Sequence, residues 1–268
     1  MASSSWYEAA AANPQVPCFF IFGDSLNDCG NNNHINTKAK ANYKPYGIDF
    51  PDGATGRFTN GRTTVDFLAE HLGFDNPIPP FTTAKGEKLL QGINYASGSA
   101  GILDETGKHL TLYGYGARKI AVVGVGKIGC VPRTMDLFGT NGTKCIQNVN
   151  LAAQYFNKQL KKLVVDLNKE LKDAKLIYIN SYGMGDGDPT ILGFKFITRG
   201  CCNPRGDGQC VKDKAPCSSR REYVFWDSFH PTEASHRTFA DRTYKSLLPS
   251  DSDPFDLHSL AALDIGKH

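Results

Sequence analysis

Apolar positions along this chain fall into short blocks of two different periods. Cys18 to Phe22 is an unbroken apolar run ending at Gly23, the pattern of a buried strand. Val65, Phe67, Leu68 and Leu72 follow Thr63 and Thr64 and stop at Gly73, which predicts a capped amphipathic helix. Gly92 to Ser97 reads as a short strand or turn leading into a loop at Gly98, and Lys119 to Val125 as a strand rich in β-branched residues (Ile120, Val122, Val123, Val125). From about Asn150 to Asp173, Phe156, Leu160, Leu163, Leu167 and Leu171 recur at helical spacing and predict a long helix with a core-facing stripe. Lys158, Lys161, Lys162, Lys169 and Lys172 form its solvated face. Leu176 to Ile179 predicts another strand, and about Thr232 to Leu247 a final helix. Strands alternating with helices imply an α/β domain with a mostly parallel sheet.

The remaining stretches are polar. Residues 1–17 read as a variable leader, and residues 249–268 as a polar, poorly ordered tail, leaving one domain over 18–248. Asn31 to Gly61 is rich in Asn, Gly, Pro and Lys and reads as a long surface loop. At 268 residues with 40% hydrophobic content, the chain can bury a sizeable core. Its 30 basic and 27 acidic side chains give no reason to expect a nucleic-acid or strongly acidic partner. No apolar run approaches the roughly twenty residues of a bilayer-spanning helix, so no transmembrane segment is expected.

Eight cysteines (Cys18, Cys29, Cys130, Cys145, Cys201, Cys202, Cys210, Cys217) without a Cys-x-x-Cys favour disulfides and an oxidising compartment over zinc. The short-loop options are Cys130 with Cys145 and pairs within the 201–217 group. Asn141-Gly142-Thr143 is the single glycosylation sequon. The N-terminus, from Met1 to Glu8 and an alanine run, has no basic start and no hydrophobic segment, so it does not read as a signal peptide. The cysteines thus argue for export and the leader against it.

Three tempting motifs have plainer readings. Gly124, Gly126 and Gly129 match a dinucleotide fingerprint, but Cys130-Val131-Pro132 follows where a helix should open, so no cofactor is expected. Asp186 and Asp188 offer too few oxygens for a cation, and Arg205-Gly206-Asp207 between two cysteines reads as a tight turn. No metal is expected.

The chemistry points elsewhere. A serine hydroxyl needs a neighbouring base, and that base must be held in the right tautomer. Ser25 stands where the first strand ends, flanked by Gly23 and Gly30, and Trp226-Asp227-Ser228-Phe229-His230-Pro231 places an acid three residues before a histidine. On one helical turn Asp227 would hold His230 Nδ1–H while Nε2 faces Ser25. Taken singly, Ser25 reads as a helix N-cap, Asp227 as a cap and His230 as a surface histidine.

Together the residues resemble the plant GDSL esterase/lipase family of the SGNH hydrolase superfamily. The matching stretches are Phe22 to Leu26, Gly30 to Asn33, Gly56 to Arg62, Gly92 to Ile102, Gly116 to Lys119, Gly124 to Cys130, Cys201-Cys202 and Tyr223 to Asp227, in family order. The resemblance implies a three-layer α/β/α flavodoxin-like fold with a parallel sheet, a secreted, metal-independent carboxylic ester hydrolase, and a small-molecule or lipid ester substrate. It implies Ser25 as nucleophile, Asp227 and His230 as its triad partners, and an oxyanion hole from the Ser25 amide and an amide of the loop Gly98 to Gly101.

One family block is absent. A strand ending in Gly-x-Asn-Asp, whose asparagine is an oxyanion donor, belongs between Gly101 and Gly116, yet only 18 residues separate Gly101 from Ile120 and none is Asn. The reading that follows is a domain internally shortened near 110–111 and lacking one central strand. The alternative to an active esterase is therefore a catalytically impaired member, a binding protein at most, or a non-functional splice or gene-model product.

Overall fold

The computed structural model describes residues 13–86, 88–101, 112–139 and 144–265. Within them run α1 (Thr64–His71), α2 (Lys88–Gln91), β1 (Lys119–Val123), α3 (Pro132–Leu137), α4 (Gln147–Glu170), β2 (Lys175–Ile179), α5 (Ser181–Met184), β3 (Phe196–Gly200), β4 (Tyr223–Phe225), α6 (Glu233–Tyr244), β5 (Ser252–Asp253) and α7 (Leu257–Ala262). The sequon at 141–143 and the expected shortening point at 110–111 lie outside the described residues.

The architecture is α/β. β1 and β2 pair in parallel from Lys119↔Lys175 to Val123↔Ile179, and β5 adds antiparallel to β2. Because side chains alternate across a strand, β2 feeds two cores. Ile177 and Ile179 pack with Phe67, Leu68, Ala240, Leu257 and Leu260, drawn from α1, α6 and α7. Leu176 and Tyr178 pack with Val164, Leu160 and Leu167 of α4 and with Leu171, its C-cap. A sheet covered on both faces by helices makes three layers.

The long helix begins at Gln147, earlier than the apolar stripe alone indicates, and its Phe156 and Leu163 remain 37% and 52% exposed, so the stripe is only partly covered. Thr63 caps α1 through a reciprocal capping box with Asp66.

Four expectations need correcting. The Cys18 to Phe22 run is extended but makes only an isolated parallel bridge, Ile21↔Asn94, backed by Phe19 N–H to Gln91 O (2.9 Å) and Tyr95 N–H to Ile21 O (2.7 Å). Gly92 makes that approach possible: its φ is +128°, and a Cβ there would stand 1.9 Å from the Phe19 carbonyl oxygen. The Asn31 to Gly61 stretch is not a surface loop: Ala41, Tyr46, Arg57, Phe58, Thr59 and Asn60 are buried, and Arg57 forms a two-toothed pair with Asp66. Low periodicity misled because this stretch buries side chains through turns. The tail also packs, since β5 pairs with β2 and Leu260 of α7 is 1% exposed. Finally, residues 13–17 are tied down at least in part, by Gln15 N–H to Leu72 O at 2.9 Å.

Two strand edges face no partner among the described residues. β1 is hydrogen-bonded to β2 alone, and Val123 at its end is 51% exposed. The 18–22 segment pairs on the side of 91–97 only, leaving Phe20 and Phe22 46% and 41% exposed.

Three disulfides, Cys130–Cys145, Cys201–Cys217 and Cys202–Cys210, join the pairs left open by the sequence, while Cys18 and Cys29 are free. Beyond β1, the glycine run 124–129 enters a 3-10 turn at Ile128–Cys130, pinned by the first disulfide. Arg205 and Asp207 pair within the loop closed by Cys202–Cys210, Asp186 meets Lys127, and Asp188 caps Thr190. Among the described residues, no helix is long and apolar enough to cross a membrane, and no cluster of His, Cys, Asp or Glu could hold a metal ion.

Candidate active site

Ser25 lies on a turn just past the 18–22 segment, opened by Asp24: its side chain accepts from Leu26 N–H at 2.9 Å, and its carbonyl from Asn27 and Asp28. These bonds turn the chain sharply and leave the Ser25 amide with no acceptor among the described residues. Asp28 closes the turn. Its wholly buried carboxylate accepts from the amides of Gly30 (2.8 Å), Asn31 (2.8 Å) and Gly98 (2.9 Å). Burial raises the Asp28 pKa above the usual carboxylate range, against the lowering effect of those amides.

Asp227 and His230 come from the segment after β4. They are not on a helical turn, as the i, i+3 spacing predicts. The chain bends instead, and Asp227 Oδ1 accepts from the amides of Phe229 and His230, both at 2.8 Å, while α6 starts only after its N-cap Thr232. The bend reaches the same end as a helical turn, because a short acidic side chain folding back on its own backbone holds position i+3 beside it.

The three side chains meet. His230 Nδ1 lies 2.9 and 2.8 Å from the two Asp227 carboxylate oxygens, and His230 Nε2 lies 2.8 Å from Ser25 Oγ. With Nδ1–H donating to the carboxylate, Nε2 is free to accept the serine proton. Asp227 is 0% exposed and His230 6%, whereas Ser25 is half-buried and reachable. The ring of Phe58 lies 4.9 Å from that of His230, which shields the imidazole from water on one face.

The loop expected to complete an oxyanion hole requires a correction. Gly98 gives its amide hydrogen to Asp28, so it has none left for a developing oxyanion. Ser97 donates to Gly23 O (3.1 Å) and Ala100 to Ser97 O (2.9 Å). Ser99 takes a left-handed backbone, φ +70°. Gly101 ends the described part of the loop.

Two residues near these three side chains escape sequence reading. Tyr46, wholly buried, donates its phenol to Asp227 Oδ2 at 2.7 Å. His236 on α6 is buried beside His230 and accepts from Thr64 N–H at 3.2 Å. Burial, helped by the His230 charge, holds the His236 pKa down at about 3. No local pattern marks either one, since Tyr46 lies 181 residues from its partner. Cys29, nearby in sequence, is no rival nucleophile, because burial pushes its thiol pKa up to about 12.

Known proteins resemble the whole chain. The family described as GDSL-like Lipase/Acylhydrolase matches in two pieces, residues 19–110 and 101–243. GDSL esterase/lipase At1g29660 of Arabidopsis thaliana is 38% identical, covering 94% of this chain and 93% of that protein. GDSL esterase/lipase At5g45670 of the same plant is 36% identical over 98% of this chain and 97% of its own length. These alignments extend over 340 and 351 positions, more than the 268 residues of the chain itself. On this similarity the chain belongs to the GDSL-like lipase/acylhydrolase family.

Proposed function

We propose that this protein is a serine hydrolase of carboxylic esters. The carrying observation is the unbroken relay from Ser25 Oγ through His230 to Asp227, each link at 2.8 Å. Ser25 attacks the ester carbonyl while its proton passes to His230 Nε2; the imidazolium, stabilised by Asp227, then protonates the departing alcohol. Water, activated by the same histidine, releases the acyl group and regenerates the serine. The Ser25 amide stabilises the oxyanion. The relatives named esterase/lipase support an ester substrate. No metal or organic cofactor takes part in this reading, nor does a nucleic acid. The three disulfides favour an oxidising, extracellular compartment. A fluorophosphonate probe tests the reading: covalent labelling that disappears in Ser25→Ala supports it, and absence of labelling on the folded chain overturns it.

A second reading is that an internal segment is missing and catalysis is impaired. It is supported by the two-piece family match meeting at 101–110, by alignments longer than the chain, and by the unpartnered edges of β1 and residues 18–22. Loss of one oxyanion donor costs on the order of a hundred- to a thousandfold in rate. A lost central strand also leaves ladder groups without partners. Esterase turnover compared with the same chain carrying a Gly-x-Asn-Asp segment restored after Gly101 tests this reading. A large gain supports it, and equal turnover removes it.

A further inference from the structure

We infer that Tyr46 is a positioning residue for the triad, its phenol O–H orienting the Asp227 carboxylate and sharing that carboxylate's charge with His230. The inference rests on the hydrolase reading above.

Asp227 is completely buried, so no water completes its hydrogen bonding. Its two oxygens offer about four acceptor sites. Oδ1 is fixed by the Phe229 and His230 amides, each at 2.8 Å. Oδ2 receives, besides the imidazole it serves, one donor: the Tyr46 phenol at 2.7 Å. Its oxygen already accepts the Cys210 amide at 3.1 Å, so its hydrogen is the part left for Asp227. Cys210 is anchored by its bond to Cys202. The Tyr46 ring is braced edge-on by Tyr43 (5.2 Å) and by Phe58 (6.1 Å), and Phe58 in turn lies against His230. Burial and the Asp227 charge keep the phenol protonated, so it is a permanent donor.

A donor to a carboxylate withdraws charge from it. Without the phenol, Asp227 holds the His230 proton more tightly, and the imidazole stays protonated to higher pH. The other titratable or charged groups around the pair are His236 on α6, Tyr43 beside Tyr46, and Arg205 with Asp207, which pair with each other at 2.7 Å. None of these donates to Asp227.

The test follows the His230 ring by NMR across pH in the full chain and in Tyr46→Phe, together with the pH profile of fluorophosphonate labelling. The midpoint is expected to rise by about half a unit to one unit, the size of a partly transmitted charged hydrogen bond. Maximal labelling rate should fall about tenfold with half-saturating probe concentration unchanged. A merely structural tyrosine lowers the folded fraction without moving the midpoint, and an unmoved midpoint overturns the inference. If Tyr46→Phe does not fold, 3,5-difluorotyrosine at position 46, a stronger donor, should move the midpoint downward, and no movement again overturns it. If the parent chain fails to label, the hydrolase reading falls, while the NMR midpoint still decides the role of Tyr46.

Discussion

Gly200, the last residue of β3, lies against the backbone of Asp227 so closely that a Cβ there would stand 2.6 Å from the Asp227 carbonyl oxygen. β3 and β4 run in parallel, and Cys201 and Cys202 donate to Phe225 O (3.0 Å) and Trp226 O (2.8 Å). Asp227 is thus carried on a two-strand ribbon that the neighbouring disulfides hold.

Gly200→Ala should therefore damage the site from outside it. Backbone cannot rotate away as a flexible side chain does, so the ribbon and Asp227 must shift. Overpacking of this kind costs about 1–3 kcal/mol. Labelling rate at Ser25 should fall more steeply than Tm; an unchanged rate would show that the ribbon accommodates a methyl.

Asp227→Asn keeps the shape but lets an amide group donate toward the imidazole, favouring the wrong tautomer. The precedent for such an exchange is a loss of about ten-thousandfold in kcat. Labelling kinetics at neutral pH check it, with circular dichroism confirming the fold.

His236 ties stability to pH. Its folded pKa of about 3 lies below the ordinary 6.5, so the unfolded chain binds a proton that the folded chain refuses between those values. Stability should fall as pH drops from about 6.5 toward 3, by at most about 1.4 kcal/mol per unit from this group, and be flat above. Urea midpoints across that range should show a shallower slope in His236→Gln.

Leu260→Ala probes the C-terminal helix. The side chain is 1% exposed in the cluster holding Ile177 and Ile179. A cost of about 2–5 kcal/mol is expected, read as a lower urea midpoint. A change below 0.5 kcal/mol would mean that α7 contributes little to this core.

Cys202 with Cys210 closes the loop that presents the Cys210 amide to Tyr46. The short loop implies about 2–3 kcal/mol of stabilisation through the unfolded state. Replacing both by serine should lower Tm and also slow labelling. Slower labelling at a temperature where the variant is fully folded would separate the two effects.

Much of the candidate site was legible before any coordinates. Ser25 after an apolar run, and Asp227 three residues before His230, are local patterns, and local patterns survive in one dimension. The bend that replaces the expected helical turn changes nothing in the outcome, because both hold i beside i+3. Gly98 was harder: its amide is claimed by Asp28, 70 residues away, and no spacing records that. The Asn31 to Gly61 stretch and the tail after 249 were misread for one reason. Tyr46, Phe58 and Leu260 are buried by partners distant in the chain, so burial there leaves no period behind.

The sequence alone determined which residue types stand at which spacings: the strand-forming runs, the α4 stripe, the chemical identities of Ser25, Asp227 and His230, the cysteines available for pairing, and the absence of a Gly-x-Asn-Asp block. Those are properties of neighbours along the chain. The tertiary structure alone decided that Ser25 and His230 meet across 205 positions, which cysteines join in the 201–217 group, and that Tyr46 and His236 flank the relay. Such contacts depend on how helices and strands stack on both faces of β2, and packing, unlike propensity, is a relation among residues that the chain order does not encode pair by pair.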